Sequence, residues 1–183
     1  MDSKPEVHRL VEHVESHAQR PLPPVERWTP ALCGEIDIRI RADGQWLYQG
    51  EPMVRPQVAR LFSTILKREE DDAYYLVTPV EKWRIQVEDL PFVMSRLSVE
   101  SGPEGQELVL MTNMDEAIRL SEKHPLVLAD DKGDGQIRPR VLVRRNLWAR
   151  VERNAFYHLA ELADADGSGR TGIRSAGVFF PLD

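Results

Sequence analysis

EIDIRIRADGQWLYQGEPMVRPQVARLFSTIL, residues 35–66, changes its hydrophobic period once, and that change decides the fold class. Ile36, Ile38 and Ile40 alternate with Asp37, Arg39 and Arg41. Successive side chains of a strand point to opposite sides, so this alternation is a strand with one buried face. Asp43-Gly44 supplies the positive φ angles that a tight hairpin wants, and Trp46-Leu47-Tyr48 returns as a second strand. Pro52 and Pro56 bracket the entry to a helix. Val58, Leu61, Phe62 and Ile65 then fall at i, i+3, i+4 and i+7, one helical face to pack on the sheet. The acidic turn EEDD, residues 69–72, closes that helix, and the strands YYLVT and WRIQVE follow. Two strands and a helix in this order predict an α+β protein.

Working outward, the second half is also strand-rich. FVMSRLSVES, ELVLMTN and PLVLAD read as strands, with a GPEG turn between the first two. After the Gly/Asp loop DDKGDGQ come RPRVLVR and LWARVE, then a helix in which Phe156, Leu159, Ala160 and Ala163 repeat the apolar spacing, and last the strand-like GVFFPL. The two passages look alike: DGQ occurs at 43–45 and 134–136, and Arg55 precedes its helical stripe as Arg153 precedes the second. A duplicated ββα unit is one reading. The other is that any two amphipathic helices align this way. Ahead of both, residues 5–19 carry Val7, Leu10, Val11, Val14 and Ala18 on one stripe, a short helix that RPLPP ends. The expected divisions are an N-terminal arm over 1–21, a first subdomain over 22–91 and a second over 92–183.

At 183 residues, with 42% hydrophobic and 30% charged, the chain suits a soluble globular protein of one large or two small domains. A net charge of −6 argues against general nucleic-acid affinity, which needs broad neutralisation of phosphates. Cys33 is the single cysteine and cannot form an internal disulfide, which fits a reducing cytoplasm. No apolar run approaches the ~20 residues of a membrane helix, so a cytoplasmic protein with no membrane partner is expected.

Several motifs carry less chemistry than they first suggest. In DADGSGRTGI, Asp164, Asp166, Ser168 and Gly169 occupy positions 1, 3, 5 and 6 of a calcium loop. Position 12, which should be glutamate, is Ser175, so a solvated turn fits better. DDKGDG has a lysine where a carboxylate belongs. His13 and His17 are spaced for a metal, but the stretch is HVESH with no further ligand cluster. Cys33, His124 and His158 lack a local nucleophile signature. No cofactor, metal or catalytic residue is expected, although an enzyme site assembled from dispersed residues stays open.

One segment stands apart. RPRVLVRRNLWARVERN carries Arg138, Arg140, Arg144, Arg145, Arg150 and Arg153 against the single Glu152. On a strand, Arg140, Leu142 and Arg144 share one face and Val141 and Val143 the other. Arginines held on a rigid sheet can grip a phosphate or carboxylate bidentately. The competing reading is an exposed face neutralised by the chain's own acids.

Longer blocks resemble a known family. PPVERWTPALCGEIDIRI, LFSTIL, YYLVTPVEKWRIQVEDLPF, LMTN, HPLVLAD, RPRVLVRRNLWARVERNAFYHLAEL and GIRSAGVFFPLD run in the order found in a bacterial family of uncharacterised proteins, domain of unknown function 1285. The resemblance spans residues 22–183. It implies a duplicated α+β core whose C-terminal half is superficially similar to pleckstrin-homology domains. It also implies a role in signalling and a site between the halves for a nucleotide-like ligand. Arg174 stands where the family commonly has tryptophan.

The expectation is therefore a non-catalytic binding protein for a small anionic, nucleotide-based or similar ligand. Arg140, Arg144, Arg150 and Arg153 would supply charge, Arg39 and Arg55 the matching positions in the first half, and Trp46 or Trp148 a stacking face. The rival is a scaffold that recruits a protein partner through sheet edges and the N-terminal helix.

Overall fold

The structure, a computed structural model, describes Leu10 and residues 22–183. The expected N-terminal helix, with His13 and His17, lies outside the described residues apart from Leu10, which is helical and fully buried. The chain divides into two compact units, residues 1–89 and 90–183. Both are dominated by sheet and contain little helix.

In the N-terminal unit, the strands are β1 (Leu32–Ile40), β2 (Trp46–Tyr48), β3 (Glu51–Pro52), β4 (Leu66–Arg68), β5 (Tyr74–Val77) and β6 (Lys82–Val87). They form one sheet in the order β3-β2-β1-β6-β5-β4, with β1 and β6 parallel and the other neighbours antiparallel. The alternation seen in the sequence is kept: Ile36, Ile38 and Ile40 are buried while Glu35, Asp37 and Arg39 are not. Helix α1 (Pro56–Thr64) lies between the two meanders and buries Ala59, Phe62 and Ser63. Phe62 meets Trp46 of β2, with ring centroids 6.5 Å apart. Each such large apolar side chain contributes about 1.5–3 kcal/mol on burial.

Helix α1 stops sooner than its apolar stripe. The hydroxyls of Ser63 and Thr64 donate to the carbonyls of Arg60 and Leu61 at 2.7 and 2.6 Å, an alternative to helical propagation. Leu66–Arg68 then pairs with β5 as β4, where the helical spacing had suggested a continuing helix.

The C-terminal unit repeats the order of its neighbour. Its strands are β7 (Phe92–Gly102), β8 (Gly105–Thr112), β9 (Ala117–Arg119), β10 (Leu126–Ala129), β11 (Arg138–Arg144) and β12 (Leu147–Val151). The sheet runs β10-β11-β12-β7-β8-β9, again with a parallel pair, β12 and β7, at its centre. In both units the first strand of one meander lies beside the last strand of the other. Helix α2 (Arg153–Glu161) follows the second meander here, whereas α1 lies between meanders. Of the expected stripe Leu159 is buried, whereas Phe156 and Ala163 are half-buried and Ala160 is exposed; Ala155, one turn before Leu159, completes the buried side.

The DADGSGRTGI stretch closes a small third sheet of β13 (Asp164–Ala165), β14 (Thr171–Ser175) and β15 (Val178–Pro181). Asp166 accepts from the backbone of Ser168 and Arg170 and from the Ser168 hydroxyl, which shapes the hairpin turn. Those bonds hold its carboxyl below the usual range. Ser175 is fully buried: its hydroxyl donates to Leu120 O and accepts from Leu108 N, both at 2.8 Å. It ties this small sheet to β8.

Candidate functional site

The strand geometry sorts the arginine-rich segment by face. Val141 and Val143 of β11 and Leu147, Ala149 and Val151 of β12 enter the core. Arg140, Leu142, Arg144, Trp148 and Arg150 lie on the alternate positions. Arg140 sits directly opposite Arg150 in the ladder. Like charges opposed in this way are unfavourable unless something compensates them. Asp131, from the loop before β11, is that compensation: its carboxylate accepts from Arg140 and, at 2.8 Å, from Arg150. Its side chain and that of Arg150 are only 14% and 12% exposed. The Arg140 guanidinium also lies 4.4 Å from the Trp148 ring centre, within cation–π range.

The neighbouring arginines are engaged as well. Arg138 makes a two-nitrogen contact with Asp134, and together with the Gln136 amide this holds the Asp134 carboxyl down to about 2. Arg144 pairs with Glu116 and lies over the Phe92 ring at 5.0 Å. Burial lowers the pKa of Arg145, which occupies the β11–β12 turn at a positive φ of 52°. Arg138, Arg140, Arg144 and Arg150 are thus paired with the chain's own acids, Asp134, Asp131 and Glu116.

The other sequence-derived positions scatter. Arg39, exposed on β1, donates to Gln86 at 3.1 Å and approaches Glu88 at 3.9 Å. Trp46 is 3% exposed against Phe62, so its ring is part of the core and not an open stacking face. Arg153 is exposed on the first turn of α2, with no hydrogen bond or ion pair to any described residue. Arg140, Trp148 and Arg150 do come together.

Arg55 leads to a feature the sequence did not flag. A cavity of about 490 Å³ in the N-terminal unit is lined by Tyr48, Gln49, Glu51, Pro52, Met53, Val54, Arg55 and Val58. Gln49 and Gly50 both have positive φ, 53° and 80°, the geometry of a two-residue hairpin that folds β3 back on β2. Met53 N donates to Trp46 O, and Pro56 starts α1, so the intervening Val54 and Arg55 are held at the rim. Arg55 precedes the helix in extended conformation without a side-chain cap. Its guanidinium meets no hydrogen-bond or ion-pair partner among the described residues. The first turn of α1 carries no acid, so the helix dipole and Arg55 both favour an anion there. The Tyr48 hydroxyl is buried and finds no partner among the described residues.

These features define a class: a two-unit, strand-rich α+β protein whose N-terminal unit bears a largely apolar cavity lined also by a guanidinium, a carboxylate and a phenol. The chain belongs to the DUF1285 family. The N-terminal domain of that family, a domain of unknown function, matches residues 23–90, and the C-terminal domain matches residues 91–182. The chain is similar to a DUF1285 family protein from Silicibacter pomeroyi DSS-3 of known crystal structure, at 42% identity and TM-score 0.82, over 94% of this chain and 93% of that one. A second crystal structure, of a DUF1285 family protein from Shewanella baltica OS155, is similar at 30% identity and TM-score 0.55, over 68% of this chain and 90% of that one. No curated protein matches the chain. Among the described residues, no helix is long and apolar enough to cross a membrane.

Proposed function

We propose that this protein is a non-catalytic, cytoplasmic binding protein for a small anionic ligand with an apolar body, and that it acts in signal transduction. The observation that carries the proposal is the coincidence, around one cavity, of Tyr48, whose buried hydroxyl has no partner among the described residues, and a guanidinium likewise unengaged. A cavity of about 490 Å³ falls within the ~300–1,000 Å³ typical of small-molecule sites. Met53, Pro52 and Val58 would cover the apolar part of the ligand, the Tyr48 hydroxyl would donate one directional bond, and Arg55 would hold the charge.

Nucleotide-based ligands remain the first candidates, with Arg55 on the phosphate. The titration of purified protein with AMP, ATP, cyclic AMP and octanoate, followed by calorimetry, tests this. Binding by at least one, weakened in Arg55→Gln, is the expected result. The absence of heat with all four, or equal binding by the variant, would overturn it.

A duplication is part of the same proposal, as is the likeness of the C-terminal unit to pleckstrin-homology domains. The support for duplication is the shared strand order with its central parallel pair. The repeating element suggested by that order is a pair of three-stranded meanders, with the helix placed differently in each copy.

A further inference from the structure

The Arg140–Asp131–Arg150 cluster is independent of the cavity, and it poses a question that neutralisation alone does not answer. Two guanidiniums face each other across a β-ladder, both directed at one carboxylate. A third, Arg138, stands close enough to Arg150 for their charges to repel. The acids opposing all three come from one short loop, residues 130–136. That loop is closed on itself: Asp130 accepts from the backbone of Asp134 and Gly135 at 3.1 and 2.9 Å. It has its own internal bonds, and residues 131–136 are exposed on the whole, yet it inserts the Asp131 carboxylate between the arginines.

The arginines, by contrast, belong to two rigid strands, and Trp148 supports Arg140 from beneath. A carboxylate or a phosphate, which offers two oxygens side by side, is what such a fork of N–H donors fits. The buried Nε of Arg140 has no hydrogen-bond partner among the described residues, so one carboxylate does not use the full donor set.

We propose that Arg140 and Arg150 form a latent site for a phosphate-class oxyanion and that Asp131 is its internal competitor. In the closed state the loop fills the site. When the loop lifts, the arginine pair and the Trp148 face are presented to a phosphate group, whose three oxygens can also reach the Arg140 Nε. A closed state of this kind leaves the competent one at roughly 0.1–10% of molecules. Apparent affinity is reduced by that fraction, so removing the competitor raises it by about 10- to 1,000-fold.

The experiment is calorimetric titration of inorganic pyrophosphate into the full chain and into Asp131→Asn, which keeps the side chain's size and removes its charge. Asp131→Asn is expected to bind at least about tenfold more tightly than the parent. The double variant Asp131→Asn, Arg150→Gln is expected to lose that gain. Failure of Asp131→Asn to gain affinity, or a gain that survives in the double variant, would overturn the proposal. Should Asp131→Asn not fold, pyrophosphate is titrated into the parent protein and followed by amide and indole NMR. Shifts at residues 130–136 and at the Trp148 indole support the latent site, and their absence at saturating ligand overturns it. Arg55→Gln, which concerns the N-terminal cavity, should leave all of these results unchanged, so the two sites fail or succeed separately.

Discussion

Replacing Tyr48 with phenylalanine should stabilise the free protein while weakening its ligand. The ring stays, so no cavity opens and the packing around β2 is conserved. What goes is a hydroxyl that is buried with no partner among the described residues. A buried unsatisfied polar group costs about 1–3 kcal/mol, and a neutral hydroxyl belongs at the lower end. A gain of about 1 kcal/mol is therefore expected in urea unfolding. For a chain of this length, that corresponds to a rise of roughly 2–4 °C in Tm. A bound ligand reverses the sign: loss of one hydrogen bond of ~0.5–1.5 kcal/mol lowers its affinity by roughly two- to twelvefold. Stabilising a protein by removing a group that binds its ligand is what a functional site should show. If Tyr48→Phe instead lowers stability by more than about 0.5 kcal/mol, the hydroxyl is satisfied in the free protein and the reasoning fails.

Three further substitutions address the fold and its electrostatics. Asp134→Asn should flatten acid unfolding, as pH-dependent denaturation would show. Its carboxyl is held down to about 2 by Arg138, so the stability it contributes is present above the ordinary value of 3.8 and is lost as pH falls from there towards 2. Gly172→Ala should destabilise the β14–β15 pair by about 1–3 kcal/mol. A β-carbon there would stand 2.4 Å from the Phe180 carbonyl oxygen and from the Phe179 ring, and backbone cannot yield as a flexible side chain can. Ser175→Ala should cost about 1–3 kcal/mol in chemical denaturation, because it strands the Leu108 amide and the Leu120 carbonyl in the interior.

Much of this architecture is written in local periodicity. The alternation of Ile36, Ile38 and Ile40, and of Val141 and Val143, marks one buried face, and both appear as such. Three features hide because their causes are not local. Leu66–Arg68 continues a helical stripe in the sequence, but pairing with Tyr74–Leu76 makes it a strand. Strand β9 is three residues long, with only Ile118 buried, too short for any period to register. Trp46 looks like a stacking surface until Phe62, sixteen residues on, covers it. The arginine face was legible as a face, whereas its partners were not. Asp131 lies in a glycine-rich loop and Glu116 twenty-eight residues before Arg144, and composition alone cannot match acids to arginines. The cavity depends on the Gln49-Gly50 turn folding β3 back beside Tyr48, and no hydrophobic pattern announces a two-residue strand.

Ligand-dependent thermal unfolding bears most directly on the proposed binding role. The protein is heated alone and with AMP, ATP, cyclic AMP or octanoate, and Arg55→Gln is treated in the same way. A ligand at about 100 times its dissociation constant stabilises the folded state by about 2.7 kcal/mol, which for this length is several degrees. The expected result is such a rise for at least one of these anions in the parent protein, much reduced in Arg55→Gln. An unmoved melting curve with all four, or a rise of the same size in the variant, would contradict an anion site at the Tyr48–Arg55 cavity.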